Sequence, residues 1–335
     1  MKLHEDPAAF RALLSSVNER SGIREDIIEK DYYLTMLLSE LASQQEHLPA
    51  YFKGGTALYK ALGRMIRFSE DIDLTVESQD CSGSQAKKRL ERAANGYRSL
   101  PRTSDKERED NRRGSITSVY EYTPITVVNP EDALQRFGYV KVEATSFTIS
   151  EPYETLMVAP LIYQQATSEE RSILRSQYCV DEFPVATITQ ERIFADKILA
   201  AEFYYEREKL FDVSKHLFDL TVMMRTERIQ RLLDAPQELI EMLSYKRQEE
   251  GKRIGSDLAE KPFSDFLLFP SLSDDPDLQL AYEKMQRIYV FDDADMIPYG
   301  EVIDSVSSLY ELLLTLDEGL EPQQEESGFS MNMTM

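Results

Sequence analysis

Lys53-Gly54-Gly55-Thr56-Ala57-Leu58 and, after a short spacer, Arg67-Phe68-Ser69-Glu70-Asp71-Ile72-Asp73-Leu74 carry the clearest signal in this chain. Consecutive glycines let a backbone approach a ligand closely, and N–H groups at the start of a helix cradle anions. Thr56 adds a hydroxyl donor, and Lys60, Arg64 and Arg67 add positive charge nearby. The alternation from Asp71 to Val76 predicts a strand, on which side chains two apart share a face. Asp71 and Asp73 then point one way, Ile72 and Leu74 the other. Two carboxylates held this close repel each other unless a cation lies between them. A divalent ion such as Mg2+, which binds carboxylate and phosphate oxygens together, suits the pair. Each segment alone is weak. A glycine turn entering a helix, followed closely by an acidic pair on a strand, is far more specific.

A third carboxylate is available in Tyr139-Val140-Lys141-Val142-Glu143-Ala144-Thr145. Val140, Val142 and Ala144 would share the packed face of this strand, and Lys141, Glu143 and Thr145 the other. Glu143 joins Asp71 and Asp73 if the two strands are neighbours; alternation sets the face but not the neighbour, so an exposed Lys-Glu edge is the competing reading.

Further along, Thr189 is placed to cap a helix whose apolar stripe is Phe194, Ile198, Ala201 and Tyr205. Lys197 borders that stripe, where a lysine either snorkels to solvent or points into a site that needs positive charge. Lys215 and Asp219 are four apart on the next helix, the spacing of an intrahelical ion pair. His4, His47 and His216 do not cluster; His216 reads as a helix-surface residue. Tyr32-Tyr33 and Tyr204-Tyr205 read as core or interface pairs.

The run KGGTALYK followed by RFSEDIDLTV resembles the first motif of the AbiEii/AbiGii nucleotidyltransferase toxin family, within the DNA polymerase β-like nucleotidyltransferase superfamily. Residues 24–41, REDIIEKDYYLTMLLSEL, resemble that family's N-terminal helix. The family's Ala-Asp-Lys helix is matched by Ala195-Asp196-Lys197. Its Arg-x-x-x-Asp-Leu helix is matched by Lys215 to Leu220, with lysine in place of the more common arginine. The resemblance implies an NTP substrate held by Lys53, Gly54, Gly55, Thr56, Arg67, Lys197, Lys215 and Asp219. It implies two Mg2+ ions, or Mn2+ in their place, on Asp71, Asp73 and Glu143. It further implies the toxin of a bacterial toxin–antitoxin or phage-defence pair, with an antitoxin encoded nearby and tRNA ends as targets of some members. Lysine at 215 lacks the bidentate fork of arginine, which weakens the phosphate role at that position.

The rest of the chain narrows the alternatives. Its 335 residues, 42% hydrophobic, can bury a sizeable core. A formal charge of -22, from 60 acidic and 38 basic residues, argues against extended duplex DNA binding. Cys81 and Cys179 are too few for a disulfide framework or zinc knuckle and read as reduced thiols. No stretch reaches the roughly 18 apolar residues of a membrane span, and the first residues lack a signal-peptide pattern, so a cytoplasmic protein is expected.

Element order predicts an α+β protein: N-terminal helices, a nucleotidyltransferase-type mixed β-sheet, then a helical C-terminal half. Residues 1–165 are expected to form the catalytic domain, 166–316 a helical domain completing the nucleotide site, and 317–335 a disordered acidic tail. Arg102 to Arg113 reads as a solvated, charge-dense loop. Three functions compete. An enzyme modifying RNA needs a basic path into the acidic cleft, for which Arg102 to Arg113 and Lys246 to Arg253 are candidates. An enzyme modifying a protein hydroxyl suits the negative charge. A non-catalytic nucleotide-binding protein would not need all three carboxylates.

Overall fold

Gly22 separates the first two helices, α1 (Pro7–Ser21) and α2 (Glu25–Ala42), by taking the left-handed conformation, φ 71°, that side chains resist. The protein is seen here as a computed structural model, which describes residues 2–79, 81–127, 137–254, 258 and 260–320. Among these, the strands are β1 (Ala50–Lys53), β2 (Ile72–Val76), β3 (Asp110–Arg112), β4 (Ser115–Glu121), β5 (Tyr139–Thr145), β6 (Tyr153–Val158) and β7 (Phe183–Ile188). They form one mixed sheet in the order β3-β4-β5-β2-β1-β7-β6. The β2–β5 and β1–β7 pairs are parallel and the others antiparallel.

α3 (Gly54–Leu62) follows β1 without a loop, and α4 (Gly83–Asn95) lies between β2 and β3 in the chain. α5 (Leu161–Gln164) and α6 (Ser168–Tyr178) carry the chain from β6 to β7. Beyond β7 come α7 (Gln190–Tyr205), α8 (Leu210–Met224), α9 (Glu227–Asp234), α10 (Pro236–Ile254), α11 (Leu268–Ser271), α12 (Pro276–Tyr289) and α13 (Tyr299–Leu320). The class is α+β, as the element order predicts.

Three boundaries differ from expectation. β7 lies beyond residue 165 yet pairs with β1 and β6, so the sheet ends at Ile188. Its partners are distant in sequence, and Pro184 interrupts its local pattern, so periodicity alone does not reveal it. Phe52, Leu74 and Val142 from the sheet share one buried cluster with Phe194, Ile198 and Leu217 from α7 and α8. The junction after β7 is thus a change of secondary structure and not a break in the core. α13 includes residues 317–320 of the expected tail; residues 321–335 lie outside the described residues. Arg102 to Arg113 is not all loop, because its Asp110–Arg112 pairs with β4 at the sheet edge.

Charged residues of α2 face inward. Lys30 pairs with Glu70, and both are buried. Asp31 accepts from Lys60 Nζ at 2.6 Å and from the Leu161 N–H at 2.5 Å. Glu29 accepts from the N–H groups of Ile125 and Thr126. These bonds fasten α2 to α3 and to the residue just before the acidic pair. The spacer after α3 is tied to the other half: the Phe68 N–H donates to the Tyr289 carbonyl at 2.7 Å.

Candidate active site

The strand register sets Lys53, Asp73 and Glu143 in one row across β1, β2 and β5. Asp71 precedes β2, and its Oδ2 lies 3.9 Å from Lys141 Nζ. β5 is the neighbour of β2, so Glu143 stands directly beside Asp73, while Val140, Val142 and Ala144 are buried on the opposite face. Burial, then Glu143 and Asp71, push the Asp73 carboxyl up to about 7 against the opposing pull of Lys53 and Lys141. Burial lowers the Lys53 ammonium despite Asp73 beside it. Among the described residues, no three acid, histidine or cysteine side chains converge to the spacing of a metal site. The donors are nevertheless hard oxygens, and Asp73 carries unrelieved repulsion of the kind that a cation removes.

Gly54 is at φ +80°, and a Cβ there would lie 2.2 Å from Asp73 Oδ2. At Gly55 a Cβ would meet Ser69 Oγ at 2.8 Å and Arg67 Nη2 at 3.0 Å. The two glycines bring the start of α3 against the acids and against Arg67. Gly54→Ala is therefore expected to cost about 1–3 kcal/mol of stability and at least tenfold in activity. Gly63→Ala is the control, because Gly63 has φ +66° but open space around it. Equal activity of the two variants would show that this close approach does not position Asp73.

The cleft between sheet and helices has a volume of about 320 Å³. Its far wall is built around Asp219, which is 0% exposed. Arg67 donates to it twice, Nε to Oδ1 at 2.7 Å and Nη2 to Oδ2 at 2.5 Å. Tyr59 Oη donates to Oδ1 at 2.6 Å, and Lys197 donates to Oδ2. Burial would raise the Asp219 carboxyl, but Arg67 and then Lys197 hold it well below the usual carboxylate range. Arg67 and Lys197 line the cleft; Asp219 sits behind them. A second network adjoins Lys53. Asp196 pairs with Arg192 and with Lys246 at 2.8 Å, and Glu250 with Lys246 at 2.7 Å and Arg192 at 3.1 Å. Burial, then Arg192, push the Lys246 ammonium down to about 7.

Several expected residues land elsewhere. Thr56 is buried, with its Oγ1 3.0 Å from Ser69 Oγ, because the first turn of α3 points it inward. Lys60 turns away to Asp31, and Arg64 pairs with Asp295 at 2.7 Å. Lys215 does line the cleft but pairs with Asp212, three residues earlier, since Arg67 and Lys197 occupy Asp219. His216, expected on a helix surface, and Tyr204, expected in the core or an interface, both line the cleft. Lys246 is buried and paired, so it offers no open basic path.

A family model described as nucleotidyl transferase AbiEii toxin, type IV toxin–antitoxin system, matches residues 36–310. The chain belongs to the AbiEii nucleotidyltransferase toxin family. The fold is similar to that of MenT4, a nucleotidyltransferase toxin from Mycobacterium tuberculosis H37Rv. The TM-score is 0.51 at 14% identity, covering 90% of this chain and 89% of that chain. No curated protein matches in sequence. Among the described residues of this AbiEii-family toxin, no helix is long and apolar enough to cross a membrane.

The buried Lys30, Asp31, Tyr59 and Arg192, and the half-buried Glu250, take no site role from any sequence motif in this AbiEii-family chain. For α2 the available signal is the charged Asp26, Glu29, Lys30 and Asp31 set among the apolar Ile27, Ile28, Tyr32, Tyr33 and Leu34. Charges that cannot all face solvent need buried partners.

Proposed function

We propose that this protein transfers a nucleoside monophosphate from an NTP to an acceptor hydroxyl, with a tRNA end as the favoured acceptor. The observation that carries this is the opposition, across one cleft, of Asp71, Asp73 and Glu143 to Arg67, Lys197 and Lys215, with the Gly54-Gly55 turn between them. Asp71, Asp73 and Glu143 would hold two Mg2+ ions, or Mn2+. When bound, the metals supply charge neutralisation at the phosphates and lower the pKa of the attacking hydroxyl.

The chain's own residues do the positioning. The N–H groups opening α3 and the side chains of Lys53, Arg67 and Lys197 receive the triphosphate oxygens. The acceptor oxygen attacks the α-phosphorus as the bridge to the β-phosphate breaks, the hydroxyl proton leaves to solvent, and pyrophosphate departs. Arg67 and Lys197 stay fixed by Asp219, so little reorganisation accompanies the charge shift. Within this reading the protein is the cytoplasmic toxin of a type IV pair, opposed by a cognate antitoxin, with phage defence as its setting.

The test is incubation of the full chain with Mg2+ and each α-³²P-labelled NTP, with total tRNA or cell protein as acceptor and Asp71→Asn/Asp73→Asn as control. Label on RNA that the control lacks is the expected result. Label on protein alone would move the acceptor to a protein hydroxyl, which a charge of -22 favours. Failure to bind any NTP would overturn the site assignment.

A further inference from the structure

We propose that Tyr204, His216 and Tyr289 form the nucleobase subsite of the cleft, with His216 Nδ1 as the hydrogen-bonding group that selects the base. This rests on the NTP-binding reading above and adds the part of the ligand that reading leaves open.

The three side chains come from α7, α8 and α12 and line the same cleft as Asp73 and Lys197. The rings of Tyr204 and His216 lie nearly parallel, 15° apart, with centroids 5.4 Å from each other. This is an offset stack, and flat aromatic surface of that kind suits a base. His216 Nδ1 is buried and has no hydrogen-bond partner among the described residues. A buried polar atom left unpaired is costly unless a ligand supplies the partner. The charges around it match a nucleotide's layout. Tyr204 lies within electrostatic reach of Glu143 and Asp73, and His216 within reach of Lys197, Arg67 and Lys215. The rings thus border both the acid wall and the cation wall, where a base would follow its phosphates. Burial and then Lys197 hold His216 down to about 3, so the imidazole is neutral and offers one donor and one acceptor nitrogen. A base edge with complementary groups would be preferred over one that leaves Nδ1 unpaired.

The experiment is equilibrium binding, with Mg2+, of the four NTPs and of inorganic triphosphate to the full chain, to His216→Phe and to Tyr204→Leu. His216→Phe keeps the ring and removes both nitrogens. The unmodified chain is expected to favour one or two bases about tenfold over the others and to bind those NTPs tighter than inorganic triphosphate. His216→Phe should bring the four NTPs together while leaving triphosphate binding unchanged. Tyr204→Leu should weaken all four NTPs but not triphosphate. If His216→Phe does not fold, His216→Gln replaces it, with an altered order of preference expected. Equal binding of the four NTPs by the unmodified chain, or an unaltered order in the His216 variant, would overturn the subsite while leaving triphosphate binding intact. Loss of inorganic triphosphate binding from the unmodified chain would instead overturn the NTP reading, and the subsite with it.

Discussion

Asp73→Asn is expected to abolish nucleotidyl transfer, by on the order of 10³-fold, and at the same time to stabilise the fold above neutral pH. The two effects share one cause. Asp73 is partly buried beside Glu143 and Asp71, and its carboxyl is raised to about 7 from an ordinary 3.8. A raised carboxyl pKa means that the folded state binds a proton more tightly than the unfolded state. Well below pH 3.8 both states are protonated and the ionisation of Asp73 costs nothing. As pH rises from 4 to 7 the unfolded chain ionises first, and stability falls; above 7 the full penalty remains. Allowing for partial exposure, that penalty is on the order of 2 kcal/mol. Asparagine removes it. Urea denaturation of both proteins at pH 4.5 and pH 8, without added metal, would show a gain for the variant that grows with pH. Added Mg2+ should stabilise the unmodified protein at pH 8 and not the variant. A variant less stable than the parent at pH 8 would mean that Asp73 is not under repulsion.

Asp73 and its neighbours were legible because their geometry is local. Period-two alternation puts Asp71 and Asp73 on one face, and Glu143 on the polar face of its own strand, whatever the strand pairing. The adjacency of β2 (ending at Val76) and β5 (starting at Tyr139) is a matter of topology, and only the register of Asp73 opposite Glu143 establishes it. β7 is hidden for that reason and for a local one, Pro184 breaking its alternation. The far wall was hidden differently. Lys215 and Asp219 stand at helical pairing distance, yet Arg67, brought over from the spacer after α3, takes the carboxylate with both arms. Nothing in the spacing around Asp219 signals a guanidinium 152 positions away. The same holds for Tyr204 and His216: helical periodicity assigns each a face, but only the packing of α7 against α8 makes those faces the wall of a cleft.

The largest loss of stability is expected from Asp219→Asn. Asp219 holds two cationic side chains and a phenol in a region closed to water, and removing its charge leaves Arg67 and Lys197 buried without a counter-ion. Breaking such a buried pair costs about 3–5 kcal/mol, whereas taking out both charges is far milder. Lys197→Met alone should therefore cost less than Asp219→Asn, and the double variant should recover part of the loss, a coupling visible in a double-mutant cycle. The pH dependence runs opposite to that of Asp73. The Asp219 carboxyl is held below its unfolded value of 3.8, so its contribution is complete above that pH and is withdrawn only as pH falls through the acid range. Between pH 5 and 8 the Asp219→Asn deficit should stay constant while the Asp73→Asn gain changes. Activity distinguishes a positioning residue from one that touches the nucleotide. Asp219 lies behind Arg67 and Lys197, so its loss should raise KM for every NTP alike, through cations no longer held at the phosphates, and leave the preference among bases unchanged. A deficit under about 1 kcal/mol, with no coupling to Lys197, would mean that the far wall does not depend on Asp219.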